Sequence, residues 1–287
     1  MKKVFAKVVS SVLALATVCS FAACGEKNNL LVGKEYVVAP SQLEALMKLD
    51  KGEADVAIID SVMAGYYTST GDYASKMQIV DGVVFAEESY GIAAKKSNEA
   101  LMSKINEALI ALRETDYAEV VAEYNLGSSV ALTAETTNPY AAATDNSWTE
   151  VVSSKKLVIG YTVFAPIAYE VDGALTGFDI ELAKKVVAYL NTTYTAEIEL
   201  EFVEIDWNTK EAKLADGTLD LVWNGMTITP GRAAEMCISV PYLFNKQVAV
   251  IMSKDASKYT SKDSMAKAIM TAETGSAGES VIVGDKK

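Results

Sequence analysis

Apolar and polar positions along the chain switch between two periods. Residues 36–38 read as a short strand. Over 42–51, Leu43, Leu46, Met47 and Leu49 recur at mostly helical spacing behind Pro40-Ser41, and Gly52 stops the helix. Residues 54–59 are apolar and β-branched, a buried strand ending at Asp60, with a helix over 61–67. Residues 80–86 are extended, and 87–93 pass from polar to apolar. The period then lengthens: Leu101, Ile105, Leu109 and Leu112 share one face of a helix over 98–112. A second helix covers 117–124 and stops at Gly127.

Residues 128–154 lose both periods. They are rich in Ser, Thr, Ala and Asn, and read as a linker. After them the alternation restarts. A strand at 156–160 leads to a turn at Phe164-Ala165-Pro166. A helix runs from Gly177 to about Leu190 with Leu182, Val186, Val187 and Leu190 facing in. A strand at 199–205 ends in Asp206-Trp207, and a short helix at 210–214 closes at Gly217. The strand from Leu219 is predicted to break at Asn224-Gly225. Another strand covers 247–252, residues 264–270 are helical or extended, and 273–279 form a Gly-rich turn. Strands and helices in alternation, without an internal repeat, predict an α/β fold.

The 287 residues suit two lobes of about 100–150 residues each. The formal charge is −12, from 38 acidic and 26 basic residues, which argues against nucleic acid as a partner. Histidine is absent from the chain. The usual general base, the Ser-His and Cys-His nucleophile pairs and the commonest zinc ligand are therefore missing. The carboxylates show no calcium-loop spacing, so neither a metal nor a cofactor is expected. Residues 1–23, with Lys2, Lys3 and Lys7 ahead of an apolar run, form an export signal too short for a typical span. Phe21-Ala22-Ala23-Cys24 resembles a bacterial lipobox, with Phe21 where Leu is usual, which makes Cys24 the expected lipidation site. After processing only Cys24 and Cys237 remain, so no internal disulfide is expected, and Cys237 reads as a small buried residue.

Two places carry candidate chemistry. In Leu219–Arg232 a buried strand gives way to Gly225, Thr227, Thr229, Pro230 and Arg232. Backbone N–H groups, hydroxyls and a guanidinium fork there suit a small anion, although a strand, a turn and a solvated arginine would read the same. Asp60, at the carboxyl end of its strand, is placed for a ligand cation or for capping the next helix.

Several motifs together carry a family likeness. KLVIGYTVFAPIAY, GFDIELAKKVV, EIDW, LDLVWNGMTITPGR, SVPYLFNKQVAVI and GSAGES, all within 155–287, resemble the N-terminal part of the amino-acid-binding solute receptors of ABC importers (family 3). Residues 35–127, with SQLEALMKLDKGEADVAIIDSVMAGYY and EESYGIAAKK, resemble the C-terminal part. The two parts stand in the reverse of the family's order, which reads as a circular permutation of a two-lobed type II periplasmic-binding-protein fold. A fragment of a tandem gene, or a swapped dimer in place of a monomer, would give the same order.

On this reading residues 1–23 are the signal and 24–34 a tether. Residues 35–86 and 245–287 build the small lobe, 87–127 and 155–244 the large lobe, and 128–154 join the former termini. Hinge crossings are expected near 86–91 and 244–247. By resemblance, Arg232 clamps a ligand α-carboxylate, Thr227 bonds the ligand backbone, and the Gly225 carbonyl and Asp60 take its ammonium. Ser276 and Ala277 add a hydroxyl and an N–H to the carboxylate, and Phe164 and Trp207 form aromatic walls. Glu273 either faces the side-chain pocket, favouring a basic ligand, or is a solvated or capping carboxylate. Thr162 stands where basic-amino-acid receptors often carry Asp, which points to a polar ligand. The resemblance implies a lipid-anchored receptor on the outer face of the cytoplasmic membrane that serves an ABC permease. It implies no catalytic residue, with a dehydratase-type enzyme or an amino-acid sensor as the alternatives.

Overall fold

The computed structural model describes residues 30–284. The signal segment and Cys24 lie outside them. In the first part of the chain, β1 (Glu35–Ala39), α1 (Gln42–Asp50), β2 (Val56–Asp60) and α2 (Ser61–Ser69) lead into the long β3 (Met77–Lys95). Helices α3 (Glu99–Ala111), α4 (Asp116–Glu123) and α5 (Ser147–Ser154) follow. Next come β4 (Lys156–Tyr161), a hairpin of β5 (Tyr169–Val171) and β6 (Ala174–Thr176), α6 (Phe178–Tyr194), β7 (Glu199–Glu204) and α7 (Lys210–Ala215). The last elements are β8 (Leu221–Thr227), α8 (Pro230–Glu235), β9 (Met236–Ile238), β10 (Leu243–Met252), β11 (Ile269–Glu273) and α9 (Ala277–Val283). Strands and helices do alternate, and the fold is α/β.

Among the described residues one sheet takes in nearly every strand, in the order β1-β11-β2-β10-β3-β8-β4-β7, with β9 on β3. Its two ends are parallel (β1·β11·β2 and β8·β4·β7), while β10 and β3 run antiparallel through the middle. Two sets of cores lie along it. One packs Leu157, Ile159 and Leu221 against Ile105, Leu109, Phe178, Leu182 and Val186. The other packs Val56, Ile58, Ala249, Ile251, Met270 and Ile282 on one face, and Leu46, Leu49, Ile59 and Val250 on the opposite face. The pairing of Leu243–Gln247 with Tyr90–Ala86 passes between the two halves. β2 and most of β11 are buried on both faces, which explains their near-continuous apolar runs.

Three local readings are corrected. First, Asn224-Gly225 does not end the strand; β8 continues to Thr227. Gly225 takes a positive φ of 59°, its N–H is held by Asp179 Oδ2 (2.7 Å) and the Tyr242 hydroxyl (3.2 Å), and the ladder shifts register opposite it. Second, 128–154 is not structureless. Leu132 is buried, Val130 bridges to Leu243, and 147–154 form α5. Apolar positions there are too few to show a period, but Leu132 and Val151 join the core, and hydrogen bonds add to the docking: Asp145 Oδ2 accepts from Ala100 N–H (2.7 Å) and Ser147 Oγ from Leu101 N–H (2.9 Å). These satisfy the start of α3, whose own N-cap residue, Asn98, makes no side-chain cap bond. Third, 264–270 resolves into a single 3₁₀ turn and the start of β11. Cys237 is buried, and burial pushes its thiol up to about 11.

Candidate functional site

Strands β2, β11, β4, β7 and β8 all deliver their carboxyl ends to one cleft between the two halves, the usual ligand position in open α/β sheets. From the β8 half come Phe164, Trp207, Gly225, Thr227 and Arg232; from the β2 half come Asp60, Glu273, Ser276 and Ala277. Each residue that the resemblance assigned to the ligand therefore borders the same cleft, whereas Thr229 and Pro230 do not line it. Gln42, Thr162, Val163 and Asn224 border it as well. The space is narrow, about 10 Å³ at the radius of a water molecule.

Arg232 is held by α8, which opens with Pro230 at its first position and the Thr229 hydroxyl accepting from Arg232 N–H (3.1 Å). Its guanidinium reaches two carbonyls, Thr227 O (2.8 Å) in its own half and Gly275 O (2.9 Å) in the other. Lys210, almost fully buried, donates to the same Gly275 oxygen (3.3 Å) and to Trp207 O (3.1 Å). Its ammonium also lies 4.6 Å from the Trp207 ring centre. Burial, reinforced by Arg232, lowers the Lys210 amine to about 8. Two cations thus converge on one peptide oxygen across the cleft.

Opposite them sits Asp60. It is the N-cap residue of α2 but its side chain makes no capping bond. Instead the buried carboxylate accepts from the amides of Gln42, Asn245 and Gln247 (2.9 Å for Gln247). Burial raises its pKa well above the usual range, and Glu88 raises it further. Glu273 is 4% exposed at the end of β11, which removes the solvated reading; the capping role belongs to Ser276, whose hydroxyl accepts from Glu279 N–H. Burial raises Glu273 to about 8 against the opposing pull of Lys210 and Arg232.

Phe164 and Trp207 are both buried, Phe164 edge-on to Tyr90 at 6.4 Å. Gly225 leaves no room for a larger residue: a Cβ there would lie 2.7 Å from Phe164 and 3.1 Å from Tyr90. Thr162 is tied to Asn224, whose amide meets its hydroxyl at 2.7 Å. Asp179, in the first turn of α6, holds Gly225 and Tyr242 and is itself raised to about 7 by burial. The supporting side chains Gln42, Asn245, Gln247 and Asp179 escaped sequence reasoning, because neutral amides and one helix-start carboxylate look like ordinary surface residues. Among the described residues no group of acidic or cysteine side chains could hold a metal ion, and no helix is long and apolar enough to cross a membrane.

The family profile described as bacterial extracellular solute-binding proteins, family 3, matches residues 157–274. The matched stretch belongs to that family. It carries β4 through β11 and with them most of the cleft. An arginine-binding extracellular protein of Bacillus subtilis is 30% identical over 130 residues, 45% of this chain and 48% of that protein. A probable amino-acid ABC transporter-binding protein of Haemophilus influenzae is 30% identical over 109 residues, 37% of this chain and 40% of its own length. The chain thus spans at most about half the length of these curated relatives. A solved ABC uptake transporter substrate binding protein from Streptococcus pneumoniae with bound histidine is 36% identical over 32% of this chain and 35% of that one, with a TM-score of 0.27.

Proposed function

We propose that this family 3 protein is the extracytoplasmic receptor of an ABC importer and that its cleft captures a polar amino acid by closure of its two halves. One observation carries the reading: Arg232 and Asp60 face one cleft from opposite halves, a fork for a carboxylate and an anion for an ammonium. A zwitterion spanning them contacts both halves only when they close, so binding shifts the open–closed balance. Phe164 and Trp207 flank the ligand, and Ser276, Ala277, Thr227 and Gly225 complete its main-chain contacts. On this reading the reversed order of the two motif sets is a circular permutation in a monomer, anchored by lipid at Cys24. The parallel pairing of β1 with β11, which lays the two ends of the described chain side by side, supports it.

A thermal-shift screen with the twenty amino acids tests the reading, since a ligand bound only by the folded state raises the melting temperature. No shift with any of them overturns it. For the side chain, Glu273 is the decisive residue. In Glu273→Gln, calorimetry is expected to show arginine or lysine binding at least about tenfold weaker; unchanged affinity removes Glu273 from the side-chain pocket. A second reading has one observation in its favour. An acid held at about 8 in a closed cleft stays protonated at neutral pH, as a general acid must. Turnover of prephenate by the purified protein would establish a dehydratase instead.

A further inference from the structure

Asp60 and Glu88 are carboxylates at the crossing between the halves, where the third, Glu87, is paired with Lys246. Glu88 lies on β3, directly across the ladder from Asn245, and Gln247 pairs with Asp60 on the other side of β10. The same two amide nitrogens serve both acids. Asn245 Nδ2 donates to Asp60 Oδ1 and to Glu88 Oε1 (2.6 Å); Gln247 Nε2 donates to Asp60 Oδ1 (2.9 Å) and to Glu88 Oε1 (2.6 Å). Two shared donors draw one oxygen of each acid to the same spot. Asp60 is 5% exposed, so water does little to separate the charges.

We propose that Asp60 and Glu88 share one proton in the empty cleft and release it when a cationic ligand group docks on Asp60, so that ligand capture is coupled to proton release. This rests on an ammonium reaching Asp60, as proposed above. In the unliganded protein the proton lies between the two acids, whose side chains are within hydrogen-bond reach of each other, because like charges sharing a buried site disfavour double ionisation. As the ammonium arrives, the carboxyl O–H bond breaks, the proton leaves to solvent, and an ammonium N–H takes its place. The other groups around Asp60 do not supply that charge balance by themselves. From β3 the Tyr90 phenol faces it and is pushed well up by burial and by Asp60. From α1 and β10 come neutral amides. From α8 comes Arg232, a single positive charge shared among Asp60, Glu211, Glu88 and Glu273.

Because the empty form holds the extra proton, affinity rises with pH, by up to about tenfold per unit where the pair is protonated. The test is calorimetry with L-arginine, L-lysine and L-glutamine on the whole mature protein, in phosphate and in imidazole at about pH 6.5, where none of these side chains titrates. With whichever amino acid binds, the apparent enthalpies in the two buffers are expected to differ in proportion to the protons released. Equal heats in both buffers overturn the proposal and leave the receptor reading intact. In Glu88→Gln the count is expected to fall; a count equal to the unmutated protein assigns the proton to Asp60 alone and overturns the pair. Absence of heat with all three amino acids speaks against the receptor reading. The pair is then read on the protein alone by carbon-13 carboxyl titration. Coupled shifts of Asp60 and Glu88 support it, and two independent titrations in the ordinary carboxylate range overturn it.

Discussion

Glu273 shows how a single residue in the cleft sets a pH dependence. An unfolded glutamate ionises near 4.5 and the folded one at about 8. Between those values the folded protein binds a proton that the unfolded chain does not, so stability falls as pH rises through that window. Glu273→Gln removes the penalty. The variant is expected to match the unmutated protein near pH 4.5 and to exceed it by an amount on the order of a few kcal/mol near pH 8, read as midpoints of urea unfolding. Lys210 acts on the other side: its lowered amine is a cost that is complete below about 8 and lifts only above it, so it does not mimic the Glu273 window. Gly225 makes a simpler prediction. Gly225→Ala would force a methyl into Phe164 and Tyr90 at a positive φ, and a loss of about 1–3 kcal/mol is expected in the same assay. Gly225 stood out in the sequence because it interrupts an apolar run, and Glu273 because the resemblance set it just before the Gly-rich turn. The amides around Asp60 gave no such signal; only the folded ladder shows that Asn245 and Gln247 face it.

Periodicity located most elements, since α3, α6, β2 and β4 bury one clear face or run and chain statistics follow burial. Where burial is shared differently the reading slipped. β3 looked like two segments because its polar middle, Glu87 to Ser89, lies between the halves, yet the backbone ladder carries straight through. The segment 128–154 looked unattached because its apolar contacts, Leu132 and Val151 among them, are too widely spaced to show a period. If it is a docked piece of structure, Asp145→Ala should destabilise the protein by about 1 kcal/mol, the usual value of a lost helix-start acceptor. A passive tether would tolerate the change, and chemical denaturation separates the two outcomes. Helix α5 and the paired caps on α3 also tie the segment to the same core as β4, so its length is not free to vary.

Across the whole molecule, the sheet joins pieces far apart in the chain. β1 lies against β11 from Glu35↔Ile269 to Ala39↔Glu273, and β2 takes β11 as its parallel neighbour. Deleting residues through Ala39 should therefore lower the melting temperature and also abolish any ligand-induced shift, because β11 carries Glu273 and leads to Ser276 and Ala277. A loss of stability with the ligand shift retained would mean that β11 is held without β1. The α/β class followed from alternation alone, whereas this end-to-end pairing did not, since nothing local in either strand specifies so distant a partner.

That pairing has a consequence for synthesis. The side of the cleft that holds Asp60 is made early, but the strand that completes it emerges only at residue 273, after Arg232 and both aromatic walls. A chain interrupted anywhere before that point lacks Glu273, Ser276 and Ala277 together, and β2 is left with an unpaired parallel edge. Such a product is not a weaker binder; it has half a clamp and an exposed strand. A cleft lined from both halves is thus found only in a chain read through Ala277.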